Sequence, residues 1–231
     1  METSIPVADG TIGGYLAEPA GEGPHPGVVI IHDAFGLSQD ARDITDRFAR
    51  EGFVALSPDL YSRGGMFRCV RRVFTDMFKH QGQAFDDIEA SRALLAGRTD
   101  CSGRVGIAGF CLGGGFALVA ASRGFDASAP YYGQLPRDMS VLDEACPIVA
   151  SFGGKDFSLR GAAAKLETKL AEREIPHDVK EYPDASHGFA NKINTAAPVN
   201  ALLKVVGFTY HEQSSEDAWR RVTTFFGEHL G

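Results

Sequence analysis

The sequence predicts an α/β fold: a mainly parallel central sheet with helices on both faces. Three observations predict it. Short apolar runs alternate with longer amphipathic ones along most of the 231 residues, the alternation that βαβ crossovers leave in a chain. The clearest run, GVVIIH at 27–32, is β-branched and almost uniformly apolar, as a strand covered on both faces must be. The 44% hydrophobic composition is enough for one sizeable core, so residues 1–231 are expected to form a single domain.

The elements follow in order. After the strand at 27–32, Ser38 is placed to cap a helix whose apolar face is Ile44, Phe48 and Ala49, and Gly52 closes it. FVALSPDLY at 53–61 reads as the next strand. The mostly polar stretch 66–96 reads as helical, with Ile88, Leu94 and Leu95 facing inward. RVGIAGF at 104–110 is a strand, and CLGGGFALVAAS at 111–122 a buried helix. ASAPYYG at 127–133 and CPIVASFGG at 146–154 are strands, AAAKLETKLAERE at 162–174 a helix, and HDVKEYP at 177–183 a last strand. Ser214 and Asp217 suggest a capping box for a terminal helix with Trp219, Val222 and Phe226 as its inner stripe.

Charge and cysteine usage exclude several function classes. A net charge of −7 disfavours nucleic acid and anionic membrane surfaces as partners. The four cysteines, Cys69, Cys101, Cys111 and Cys146, form no C-x-x-C pair, which argues against a disulfide scaffold or a zinc ribbon and suits a reducing compartment. METSIPVADG has no basic region followed by an apolar run, and no apolar stretch reaches the roughly 18 residues of a membrane span. A cytoplasmic protein is expected.

In a parallel sheet, ligands bind beyond the carboxyl ends of the strands, so the residues after each strand carry the functional information. After RVGIAGF comes Cys111, in the pattern Gly109-x-Cys111-x-Gly113. This is the G-x-S-x-G nucleophile elbow with cysteine for serine. A strained strand-to-helix turn raises the nucleophile above the sheet, the flanking glycines let strand and helix approach, and the helix N-terminus favours a thiolate. Dinucleotide and P-loop glycine patterns fail on spacing: Cys111 and Leu118 stand where glycine is needed, and no Lys-Ser/Thr pair follows. After CPIVASFGGK comes Asp156, and after HDVKEYPDAS comes His187. Nucleophile, acid, histidine is the chain order of the α/β-hydrolase fold. After GVVIIH comes DAFGL, whose backbone is placed to give one oxyanion-hole N–H, from Ala34 or Phe35, with Leu112 N–H as the other. Asp33 puts a carboxylate at the mouth of that pocket. His32 beside it forms no recognisable metal motif, and the chemistry requires neither metal nor organic cofactor.

HDAFGL, SPDLYSR, GIAGFCLGGG, YYG, GGKD, SHGF and EDAWRR, spread in order over nearly the whole chain, resemble the dienelactone hydrolase family. The cysteine elbow is the most specific of these. The resemblance implies hydrolysis of small lactones or esters by a Cys111–Asp156–His187 triad. It also implies that the acid at position 33, typically glutamate in the family, restrains the cysteine until substrate arrives. Family members that act on dienelactone bind its carboxylate with arginines, one of them four residues after the histidine. That position is Asn191 here, and Arg71 and Arg72, with Arg68 on the same helix face, are the candidates for the other cation. The rival readings are a thioesterase or promiscuous carboxylesterase using the same site, and a binding protein of this fold without catalysis.

Overall fold

The computed structural model describes residues 1–192 and 208–231. Among them eight strands form one sheet in the order β1-β2-β4-β3-β5-β6-β7-β8. β1 (Glu2–Val7) and β2 (Gly10–Ala17) form an antiparallel hairpin, and β2 pairs antiparallel with β4 (Val54–Pro58). β3 (His25–Ile31), β4, β5 (Cys101–Phe110), β6 (Ala127–Tyr131), β7 (Ile148–Gly153) and β8 (His177–Tyr182) run parallel. The α-helices among the described residues are α1 (Gln39–Arg50), α2 (Met66–Lys79), α3 (Gln83–Ala96), α4 (Leu112–Ala120), α5 (Ala162–Glu172) and α6 (Glu212–Leu230).

The apolar run at 27–32 is explained by the two cores it serves. Val28 and Ile30 pack with Phe48 of α1 and Phe226 of α6, while Val29 and Ile31 pack with Val73 of α2 and Phe85 of α3. Successive side chains leave a strand on opposite faces, so a strand with helices on both sides shows no polar alternation. All four are fully buried, and each such side chain contributes on the order of 1.5–3 kcal/mol. Ser38 Oγ accepts the Ala41 N–H at 3.3 Å, and Ile44, Phe48 and Ala49 of α1 are buried, as its periodicity requires.

Three features depart from the sequence reading. The β1–β2 hairpin was not anticipated: the inward positions of β2 are Ile12, Gly14 and Leu16, and glycine in the middle hides the two-residue period. The stretch 66–96 is two helices. His80 adopts a left-handed conformation (φ 56°), Gly82 has φ 123°, and the buried Asp76 carboxylate accepts Ala84 N–H at 3.1 Å across the break. Ile88 and Leu95 are buried and Leu94 is half-buried. The cap of α6 is His211, which accepts the Ser214 N–H at 3.4 Å, so Ser214 lies inside the first turn and does not open a capping box.

Trp219, Val222 and Phe226 face inward from α6 as expected. The neighbouring Arg221 binds the Asp178 carboxylate at 2.8 Å, Ser151 Oγ at 3.0 Å and the Asp178 carbonyl at 2.7 Å, tying α6 to β7 and β8. Phe48 joins α1 to α6: its ring centroid lies 4.8 Å from that of Trp219, 6.1 Å from Phe53 and 6.2 Å from Phe226. Phe48→Ala is expected to lower the unfolding free energy by about 3–5 kcal/mol, measured by urea denaturation. A loss below about 1 kcal/mol would mean that this cluster closes over the cavity.

Candidate active site

Sheet register gathers the candidate residues beyond the carboxyl ends of the parallel strands. Ile31 pairs with Gly109, Phe110 with Tyr131, Tyr131 with Ser151, and Gly153 with Tyr182. The loops carrying Asp33, Cys111, Asp156 and His187 therefore leave neighbouring strands on the same side.

Cys111 sits between β5 and α4 at φ 55°, ψ −112°, where a side chain costs about 1–3 kcal/mol. Its N–H donates to Tyr131 O at 3.1 Å, and its carbonyl accepts from Gly115 N at 3.2 Å. The glycine pattern has a steric cause. A Cβ on Gly109 would stand 2.0 Å from Gly113 O, and a Cβ on Gly113 would stand 2.1 Å from Ile31 O. The start of α4 thus rests directly on backbone of β5 and β3.

Asp156, His187 and Cys111 come together. His187 Nε2 lies 3.0 Å from Cys111 Sγ, and His187 Nδ1 lies 2.5 Å from Asp156 Oδ2. The other carboxylate oxygen of Asp156 accepts Ser158 N–H at 2.9 Å and Ser158 O–H at 2.6 Å. Burial raises the Asp156 pKa, but the His187 and Ser158 bonds more than offset it and hold this carboxyl below its ordinary value. Burial also disfavours a charged His187. The Asp156 bond, the Cys111 bond and the charges of both outweigh that, and the His187 pKa is raised to about 9. Tyr132 and Phe208 flank the imidazole, with ring centroids 5.2 and 4.8 Å away.

The β3–α1 loop adjoins this group. Phe35 N–H donates to the Asp33 carboxylate at 2.8 Å, so it is occupied. Among the described residues neither Ala34 N–H nor Leu112 N–H has a hydrogen-bond acceptor. Of the two donors the sequence left open, Ala34 is therefore the free one. Asp33 makes no hydrogen bond to Cys111, whose thiol partner is His187. Any influence of Asp33 on the sulfur runs through its charge.

The expected carboxylate clamp takes a different form. Asn191 is buried and bonded at both ends of its amide: Tyr132 O–H donates to Oδ1 at 2.5 Å, and Nδ2 donates to Asp40 Oδ2 at 2.6 Å. Asp40 Oδ1 also accepts Lys192 N–H at 2.9 Å. Asn191 braces the histidine loop against Tyr132, just after β6, and against α1, with both ends of its amide engaged. Arg71 is exposed on α2, and Arg72 is half-buried within electrostatic reach of Asp87 on α3. Neither hydrogen-bonds Cys111, Asp156 or His187.

Ser158, Tyr132 and Asp40 were missed by the sequence reading. Ser158 was detectable, because an aspartate bonding the backbone two residues on is a common turn device. Tyr132 and Asp40 act through contacts between distant segments, which no local pattern announces. No described helix is long and apolar enough to cross a membrane.

A mainly parallel sheet whose fifth strand turns through a strained, glycine-flanked cysteine into a buried helix, with an acid and a histidine after later strands, defines an α/β-hydrolase fold. Within that class the chain belongs to the dienelactone hydrolase family, whose profile matches residues 12–230. It is 32% identical to the protein usf of Aquifex pyrophilus over 94% of this chain and 93% of that protein. It is 26% identical to a Methylorubrum extorquens protein provisionally named carboxymethylenebutenolidase, over 99% of this chain and 80% of that one. A structure of a provisionally identified dienelactone hydrolase from Klebsiella pneumoniae superposes with a TM-score of 0.81 at 25% identity, covering 99% of this chain and 98% of that one.

Burial pushes the Asp33 pKa up to about 7; Asp40 adds to the rise, and Phe35 N–H and His187 oppose it. In the unfolded chain it titrates near 3.8. A raised folded value contributes stability that is complete below pH 3.8 and lost as pH climbs through 7. The loss is at most about 4 kcal/mol. Asp33→Asn keeps an oxygen for Phe35 N–H and cannot ionise. Its stability should therefore gain on the wild type between pH 4 and 7 and run parallel above, in urea denaturation at pH 5 and pH 8. The same difference at both pH values would count against a buried titrating carboxyl.

Proposed function

We propose that the protein hydrolyses small carboxylic esters or lactones, with Cys111 as nucleophile and no cofactor. The observation that carries this reading is the continuous line Asp156–His187–Cys111 at 2.5 and 3.0 Å on a strained elbow. The family, and the name carboxymethylenebutenolidase borne by a relative, support an ester- or lactone-cleaving reaction.

His187 Nε2, 3.0 Å from Cys111 Sγ, takes the thiol proton and becomes an imidazolium beside the thiolate. The thiolate attacks the carbonyl carbon and the oxygen becomes anionic. Ala34 N–H and Leu112 N–H stabilise that oxyanion. The tetrahedral adduct collapses, the C–O bond breaks, and the His187 imidazolium gives its proton to the leaving alkoxide. In a lactone this alkoxide stays attached to the acyl group. Neutral His187 then takes a proton from water, the hydroxide adds to the thioester, and a second collapse releases the carboxylic acid and restores the thiolate–imidazolium pair. Asp156 holds the imidazole in the required tautomer and stays ionised throughout. Asp33, when ionised, opposes the thiolate by like charge. A free thiol at this position suits a reducing compartment, in line with cytoplasmic residence.

Cys111→Ala should lose several powers of ten in kcat with the fold intact, and Cys111→Ser should keep weak activity, since a hydroxyl depends wholly on His187 for activation. The check is a panel of lactones, aryl esters and acyl thioesters, which also ranks the thioesterase alternative. Near wild-type rates for Cys111→Ala would remove the cysteine from the chemistry. A non-catalytic binding protein would turn over none of the panel.

With Asn191 engaged internally, the site lacks one arginine–carboxylate contact of about 1.5–3 kcal/mol. An anionic dienelactone should therefore not exceed its neutral methyl ester by as much as a hundredfold in kcat/KM. A hundredfold preference would show that another cation, Arg71 or Arg72, reaches the ligand.

A further inference from the structure

The geometry points to His32 and Tyr61 as positioning residues that aim the Ala34 N–H into the oxyanion hole, a role that rests on the cysteine-hydrolase reading above. His32 Nε2 accepts the Leu60 N–H at 3.2 Å, so the ring is neutral there and its proton is on Nδ1. Nδ1–H then donates to the Asp33 carbonyl at 2.7 Å. Burial lowers the His32 pKa, which favours this neutral form. The imidazole is 2% exposed and packs on the Tyr61 ring with centroids 5.0 Å apart. Tyr61 O–H donates to the Ala34 carbonyl at 3.2 Å.

The Asp33 carbonyl and the Ala34 N–H belong to one planar trans peptide unit, and in such a unit C=O and N–H point in opposite directions. Holding the carbonyl toward His32 therefore turns the Ala34 N–H away from it. The next peptide unit is held at both ends as well, its carbonyl by Tyr61 and its Phe35 N–H by the Asp33 carboxylate. The Asp33 carbonyl also takes the Gly36 N–H at 3.3 Å. Every polar group of these two units has a partner except the Ala34 N–H. An oxyanion donor is useful only if its direction is set before the charge develops, because reorienting it during the reaction costs what the bond would return. His32 anchors the loop from within β3's own continuation, and Leu60 and Tyr61 anchor it from the segment after β4. A hinge at 33–35 is thereby removed.

The test separates aim from reactivity. His32→Leu loses both ring contacts. His32→Asn keeps an N–H donor near the position of Nδ1 and so can still hold the Asp33 carbonyl. Tyr61→Phe loses only the hydroxyl. Each is assayed for ester hydrolysis and for iodoacetamide alkylation at Cys111, followed on the Cys111 peptide by mass spectrometry. Alkylation is displacement at a saturated carbon and needs no oxyanion donor. Deleting an oxyanion donor outright costs about a hundred- to a thousandfold, so misdirecting one should cost about ten- to a hundredfold. His32→Leu is expected to lose that factor in kcat with KM within about threefold, Tyr61→Phe to lose about three- to tenfold, and His32→Asn to recover most of the His32→Leu loss. Alkylation should stay within about twofold in all three. His32→Asn and Tyr61→Phe carry the test if His32→Leu does not fold.

Two results overturn the clamp: hydrolysis near wild type in the folded variants, or alkylation that falls in step with hydrolysis, which would place the effect on the Cys111–His187 pair. Activity that survives Cys111→Ala would instead overturn the cysteine reading itself. Activity lost in Cys111→Ala and kept in the His32 and Tyr61 variants would overturn only the clamp.

Discussion

The contact on which the structure depends is the approach of the α4 backbone to the backbones of β5 and β3. No side chain intervenes: a single methyl at Gly109 or Gly113 would fall about 2 Å from a carbonyl oxygen. Because main chain rests on main chain, Cys111 is held by hydrogen bonds to Tyr131 and Gly115 at an angle its own preferences resist. The strain is sustained by the burial of α4, every residue of which is inside the protein. Flanking strands supply the rest of the site from either side, the loop after β3 on one and the loops after β7 and β8 on the other.

Electrostatics at the site are set by unequal numbers of hydrogen-bond donors. Asp156 and Asp33 are both nearly sealed from solvent, yet their environments drive them in opposite directions. Asp156 is surrounded by donors, two from Ser158 and one from His187, and stays charged. Asp33 has one donor and a second carboxylate, Asp40, in electrostatic range, and is half-titrated near neutrality. One acid is thus built to be an ion and the other to be nearly indifferent. Their placement follows the division of labour proposed for them, one orienting the histidine and one tuning the thiol by charge.

The parts of the site that depend on spacing along the chain were legible in the sequence. The elbow follows from Gly109-x-Cys111-x-Gly113, and the order Cys111, Asp156, His187 with each at a strand end follows from counting strands. The two cores follow from the unbroken apolar run at Val28–Ile31. Residues whose role depends on which segments meet were not legible. His32 was weighed only as a metal ligand without a motif, and its partner Leu60 N–H lies 28 residues away. Asn191 marked a departure from the family pattern, but its partners Tyr132 and Asp40 stand 59 and 151 residues away, so its inward engagement was hidden. The break at His80–Gly82 carried a local signal, a glycine in a polar segment, that helical composition on either side obscured.

The first turn of α1 has a consequence for how the site moves. Ser38 and Asp40 are two residues apart. The loop that presents Ala34 runs straight into Ser38, and Asp40 grips the loop that presents His187 through Asn191 and Lys192 N–H. Both walls of the cleft are therefore bolted to the same turn of the same helix. A shift of α1 therefore carries the loop of Ala34 and the loop of His187 together.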